Sequence, residues 1–168
     1  MALNRSRVDV LCVPQDIDLS PASDSWDDAL VRWSADGLVC ADRPTAQFIG
    51  GGAKGIRLDH PTGRVVYGNQ LGGFHVTCPS CGAGLARAFA SAMEASRQDT
   101  RSSPVATVRC PRCDTATPLP EVDARPPIQI GRCAVVFVDV GGVELTDRGR
   151  EAVEELLGPF AVIFRRTS

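Results

Sequence analysis

The residues with the most chemistry to offer are four cysteines in two matched turns. Residues 75–84 read HVTCPSCGAG and residues 107–116 read TVRCPRCDTA. Cys78, Cys81, Cys110 and Cys113 therefore form two C-x2-C pairs, each with proline after its first cysteine. Such a turn carries two sulfurs to one point and lets its backbone amides face them. Gly82 follows the first pair, and Asp114 stands in the equivalent place after the second, where aspartate tolerates a left-handed backbone. Zn2+ takes four soft or borderline ligands in a tetrahedron, with thiolate bonds of about 2.3 Å. Four cysteines fill that shell and leave no position for water, which is the closed arrangement of a structural ion rather than a catalytic one. An iron or iron–sulfur centre would use the same ligands. A redox dithiol would need one such turn, and two matched turns argue against it. His75 could compete as a fifth candidate ligand, but alternation along a strand turns it away from the sulfurs.

The other reactive side chains read as structural. Cys12, Cys40 and Cys133 sit in apolar, strand-like runs, as buried thiols do. GGGAKG at 50–55 has the glycines of a phosphate loop but not its spacing, and no helix follows it. Asp59-His60 precedes Pro-Thr-Gly and reads as the tip of a hairpin. Asp139 closes an apolar strand before Gly141-Gly142, a position suited to capping the loop. With two histidines in the chain, no histidine–carboxylate set assembles, so no catalytic residue is assigned.

The elements that must position the cysteines follow from periodicity. RVDVLCV (7–13) reads as a strand. From Ser20 to Trp33 the period changes: Trp26, Ala29, Leu30 and Trp33 fall on one helical face. Residues 38–74 are turn-rich, with two short strands joined at HPTG and a third strand, QLGGFHVTC, entering the first cysteine pair. Leu85, Phe89 and Met93, with Ala86 and Ala92, mark a helix over about 83–97, and QDTRSS a loop. PVATVRC and DTATPL are strands into and out of the second pair, and PEVDARPP reads as a proline-rich linker. RCAVVFVDV (132–140), a helix over 146–158 with Ala152, Val153, Leu156 and Leu157 inward, and FAVIFRR (160–166) repeat the opening strand–helix–strand plan.

C-P-x-C-G followed by C-P-x-C, each led in by a strand, resembles the two knuckles of a zinc ribbon. The resemblance covers about residues 74–120, with 28 residues between the pairs against the usual 15–20, the helix accounting for the excess. It implies a metal and a local fold but no activity. The whole chain is expected to be α+β: a two-layer body from residues 1–73 and 121–168, resembling a ferredoxin-like β-α-β-β-α-β arrangement, with the ribbon of residues 74–120 inserted. Zinc is expected to hold the insertion, which looks short of large apolar residues for a core of its own.

A chain of 168 residues with 43% hydrophobic and 23% charged residues is long enough to bury a core. Its net charge of −2 creates no field toward nucleic acid or anionic membrane. No run approaches a membrane span, and the N-terminus lacks the apolar stretch of a signal peptide, so a cytoplasmic setting is expected. The closed cysteine set and the acidic balance point to a non-catalytic, zinc-binding protein whose partner is another protein, with a bacterial immunity or adaptor role in keeping with its size. Nucleic acid is the alternative partner. Arg87, Arg97, Arg101, Arg109 and Arg112 outnumber Glu94, Asp99 and Asp114, but the stripe is sparse and poor in aromatics. An enzyme whose site involves Asp139 or the 50–60 loop is the third reading.

Overall fold

The alternation of Val10 and Cys12 against Leu11 and Val13 gives β1 (Arg7–Pro14) two apolar faces, so it must lie inside a sheet covered on both sides. The computed structural model describes residues 7–39, 47–69, 73–97 and 105–167. In it, β1 is central in a four-stranded antiparallel sheet with β2 (Ala53–Asp59), β9 (Ala134–Val140) and β10 (Phe160–Thr167), in the order β10-β1-β9-β2. The fold is α+β. Helices α1 (Ser23–Ala35) and α3 (Asp147–Leu157) lie on the face of Val10, Cys12, Val135 and Phe137. The helical face read from the sequence is the one that packs: Ala29 and Trp33 are buried, and Trp26 and Leu30 lie against them. A chain of ring contacts runs from Trp26 through Trp33 and Phe48 to Phe137, with centroids 5.0–5.6 Å apart. Thr146 caps α3 by accepting from Gly149 N–H, and Gly158 closes it with its amide on Glu154.

Between β2 and β9 the chain builds a second set of elements: β3 (Val65–Tyr67), β4 (His75–Thr77), α2 (Ala86–Arg97), β5 (Thr107–Arg109), β6 (Ala116–Pro118), β7 (Asp123–Arg125) and β8 (Gln129–Gly131). Three two-stranded ladders result, β3 with β8, β4 with β7 and β5 with β6. Two sequence expectations change here. The flanks of HPTG are not a hairpin: β2 pairs with β9 and β3 with β8, because the turn bends the chain without choosing each flank's partner. PEVDARPP is not only a linker, since Asp123–Arg125 pairs with β4 between the prolines. The second set also has an apolar core. Val76, Leu85, Phe89, Met93, Val108 and Leu119 are buried in it, and Val66, Val122, Ile128 and Ile130 join from outside 74–120.

The second set covers the remaining face of the large sheet. Tyr67 and Val65 pack on Leu11, Val13, Ala134, Val136 and Ile163. Where the chain leaves and re-enters the sheet, buried Arg64 and Arg132 both donate to Asp18, at 2.8–3.0 Å, and hold its carboxyl below the usual range. In the 50–55 loop, Gly51 serves close packing, whereas a Cβ on Gly55 would meet nothing within 4 Å. A Cβ on Gly51 would lie 2.7 Å from the Gly141 carbonyl carbon, so these two loops meet backbone to backbone.

Candidate metal centre

Each cysteine pair sits where a short strand ends, and the two turns are built alike. In the first, Cys78 N–H donates to Ala83 O (2.8 Å) and Gly82 N–H to Cys78 O (2.8 Å). In the second, Cys110 N–H donates to Thr115 O (2.9 Å) and Asp114 N–H to Cys110 O (3.0 Å). Gly82 and Asp114 take the same left-handed conformation, with φ of 68° and 60°. Arg109 braces the second turn from outside, bonding both Asp114 O (3.2 Å) and its carboxylate (2.9 Å).

The turns face one another and bring the four sulfurs together. Cys78 Sγ lies 3.7 Å from Cys113 Sγ, and Cys81 Sγ lies 3.6 Å from Cys110 Sγ. All four lie within 4.8 Å of each other. Thiolates at about 2.3 Å from one ion form a tetrahedron with edges of roughly 3.8 Å. The donor set therefore fits a metal ion. His75 is exposed on β4 and is outside this group.

The thiols do not share one proton affinity. Thr115, through its hydroxyl (3.2 Å from Cys113 Sγ) and then its amide, brings Cys113 down to about 6. For Cys78, burial opposes ionisation, but the amides of Cys81 and Ser80 outweigh it and lower the pKa. Cys81 gains from the Ala83 amide, yet burial and the three neighbouring sulfurs push it up to about 11. Anions crowded this closely resist forming together unless a cation neutralises them. Thr115 was not anticipated; its signal is a hydroxyl two residues after the last cysteine, where the first turn has Ala83.

The remaining candidates are dispersed. Cys12 and Cys133 are fully buried, and burial pushes them to about 12 and about 11, so neither is a ready nucleophile. Cys40 lies outside the described residues, as do Arg101 and the QDTRSS loop. Asp139, at φ 49°, pairs with Lys54, and its amide donates to the buried Asp9 (3.0 Å). His60 follows the opposite end of β2 and contacts Ser20 Oγ (2.6 Å), so the strand pairing keeps it from Asp139. A cleft of about 830 Å³ runs between α2, β3 and β4, walled by Val66, Phe74, Val76, Phe89 and Met93, with His75 and Glu94 among its lining.

No protein-family model, curated protein or solved structure matches this chain. Fold and site together define an α+β protein with four cysteines clustered within metal-binding distance.

Proposed function

We propose that this chain is a non-catalytic zinc protein that acts by binding another protein, its zinc ribbon inserted in a ferredoxin-like body. The observation that carries the reading is the sulfur geometry: two matched turns with S–S separations near those of a tetrahedral thiolate site. A bound zinc would be held by Cys78, Cys81, Cys110 and Cys113, with every position taken by protein. Its contribution there is cross-linking rather than activation of water. The β10-β1-β9-β2 order, read in chain order as fourth, first, third and second strand, supports the ferredoxin-like body. The separation of Asp139 from His60 supports a non-catalytic role. A protein partner is favoured over nucleic acid because Arg109 is engaged by Asp114, and Phe89 is buried edge-to-face against Phe74 instead of offering a stacking platform. Among the described residues, no helix is long and apolar enough to cross a membrane. A cytoplasmic, bacterial adaptor or immunity role is in keeping with this reading.

Metal analysis and affinity capture of the purified chain from its native lysate test the reading. About one zinc per chain and a stoichiometric co-purifying protein are expected. Iron in the site would replace the zinc assignment, and a metal-free chain that travels alone would sink the whole reading. A mobility shift with nucleic acid at low salt would favour the alternative partner.

A further inference from the structure

The large sheet has two edges, and they are protected differently. Edge strands expose unpaired amides and carbonyls, and proteins blunt them with charge, proline or bulges. β2 carries Lys54, Arg57 and Asp59 in seven residues. β10 carries its charges, Arg165 and Arg166, near its end; its first five residues, Phe-Ala-Val-Ile-Phe, have no charge, proline or bulge, and it pairs with β1 residue for residue from Phe160 to Thr167. Phe164 is 48% exposed on it.

Two hydrogen bonds set the direction of the outward groups. Arg166 N–H donates to Asn69 Oδ1 (3.2 Å) rather than to β1, and Gln15 N–H reaches Pro159 O (2.8 Å). In an antiparallel ladder a residue's N–H and C=O point the same way and alternate along the strand. The odd-numbered residues of β10 therefore face β1, and Phe160, Val162, Phe164 and Arg166 point outward. Among the described residues, Asn69 meets that outer row at Arg166 and closes it there.

We propose that β10 pairs with β10 of a second copy of this chain, antiparallel and two-fold about Val162, joining the two sheets into one of eight strands. The occupant is argued from self-complementarity. Centred on Val162, the ladder satisfies the outward groups of Phe160, Val162 and Phe164 on both strands and ends where Asn69 already holds Arg166. It sets Phe164 of each copy opposite Phe160 of the other, on the helix-bearing face, and Arg150 lies 5.7 Å over the Phe160 ring. It sets Arg166 opposite Gly158, the cap of α3, whose last turn carries Glu154 and Glu155 and no base. A cation thereby meets the negative end of a helix in each half of the dimer. A register that set Arg166 against its own copy would stack like charges instead.

The test is sedimentation equilibrium of the full zinc-loaded chain under reducing conditions, from micromolar to millimolar concentration, with amide hydrogen exchange on the same samples. The expected mass at high concentration is twice 17.9 kDa. Exchange at Val162 and Phe164 should slow as the dimer forms, while Arg166, already held by Asn69, should not change. Phe164→Lys, at an exposed side chain, should keep the circular dichroism spectrum and zinc content but give the single-chain mass, because it brings a second cation to Arg150 of the partner copy. A wild-type chain that stays monomeric throughout overturns the proposal. So does a dimer that Phe164→Lys leaves intact, or protection of Val162 that does not depend on concentration.

Discussion

At the scale of single residues, the second cysteine turn rests on an unusual choice at position 114. Its backbone is left-handed, which costs an ordinary L-residue about 1–2 kcal/mol and glycine almost nothing. Asp114 offsets part of that through Arg109, but both partners are largely exposed, and an exposed ion pair contributes about 0–1 kcal/mol. The two effects nearly cancel on replacement by glycine, so Asp114→Gly should change stability by less than about 1 kcal/mol and leave metal affinity intact. Asp114→Val loses the pair and adds a β-branched side chain in the same conformation. It should cost about 2 kcal/mol and weaken zinc retention in a chelator competition. Equal behaviour of the two variants would show that the backbone at 114 does not control the turn. A second residue-scale commitment lies in the sheet. Buried Asp9 accepts from Arg165 (3.1 Å) and from the Asp139 amide, so the charge within the sheet is paired.

At the scale of elements, the two turns act as one titrating unit. Metal binding needs thiolates, and protons compete for them. In the metal-free fold, Cys113 is depressed to about 6 and Cys81 raised to about 11, so one sulfur ionises readily and another resists. A bound cation lowers all of them further. Zinc should therefore stay bound as pH falls from 8 toward 6 and leave at a midpoint below 6, with uptake of more than one proton per ion released. A zinc-indicator titration with pH-stat measurement reads both; release without proton uptake would show that the thiolates are not the ligands.

The same elements show what the sequence could and could not reveal. The α1 and α3 faces were legible because Trp26, Ala29, Leu30 and Trp33, and likewise Ala152, Val153 and Leu157, repeat at the helical period and all face one core. The turns were legible because Cys-Pro-x-Cys specifies a local conformation, down to the left-handed residue after it. The pairings of β3, β7 and β8 were not legible. Each is three residues long, too short for alternation to register, and each finds its partner across tens of residues. Thr115 was not legible for a related reason: its role depends on where the sulfur points.

At the scale of the whole molecule, the core between the sheet and its helices and the core around α2 differ in what holds them. The sheet and its helices draw strands from both ends of the sequence; β1 is registered with β10 over its whole length, and β9 with β2 over most of its own. The core around α2 contains fewer large side chains, and the strands beneath it are three residues each. A structural zinc contributes an apparent 10–16 kcal/mol in small domains, against about 5–15 kcal/mol for the net stability of an entire domain. The ion should therefore decide the fate of the second core and leave the first standing. Adding a chelator, or changing Cys110 to Ser, should abolish exchange protection in α2, β5 and β6 and open the 86–118 stretch to protease. Amides of β1 and β9 should stay protected, because their partners lie within the large sheet. The joint between the two parts sets how far the loss spreads. Arg64 and Arg132 on Asp18 fix the points where the chain crosses, and Tyr67 packs on the far face of the sheet. β3 and β8 should accordingly keep more protection than β5 and β6. Hydrogen exchange on the zinc-loaded, chelated and Cys110→Ser forms reads that gradient. Loss of all protection in a single step would show that both cores form one cooperative unit held by the metal.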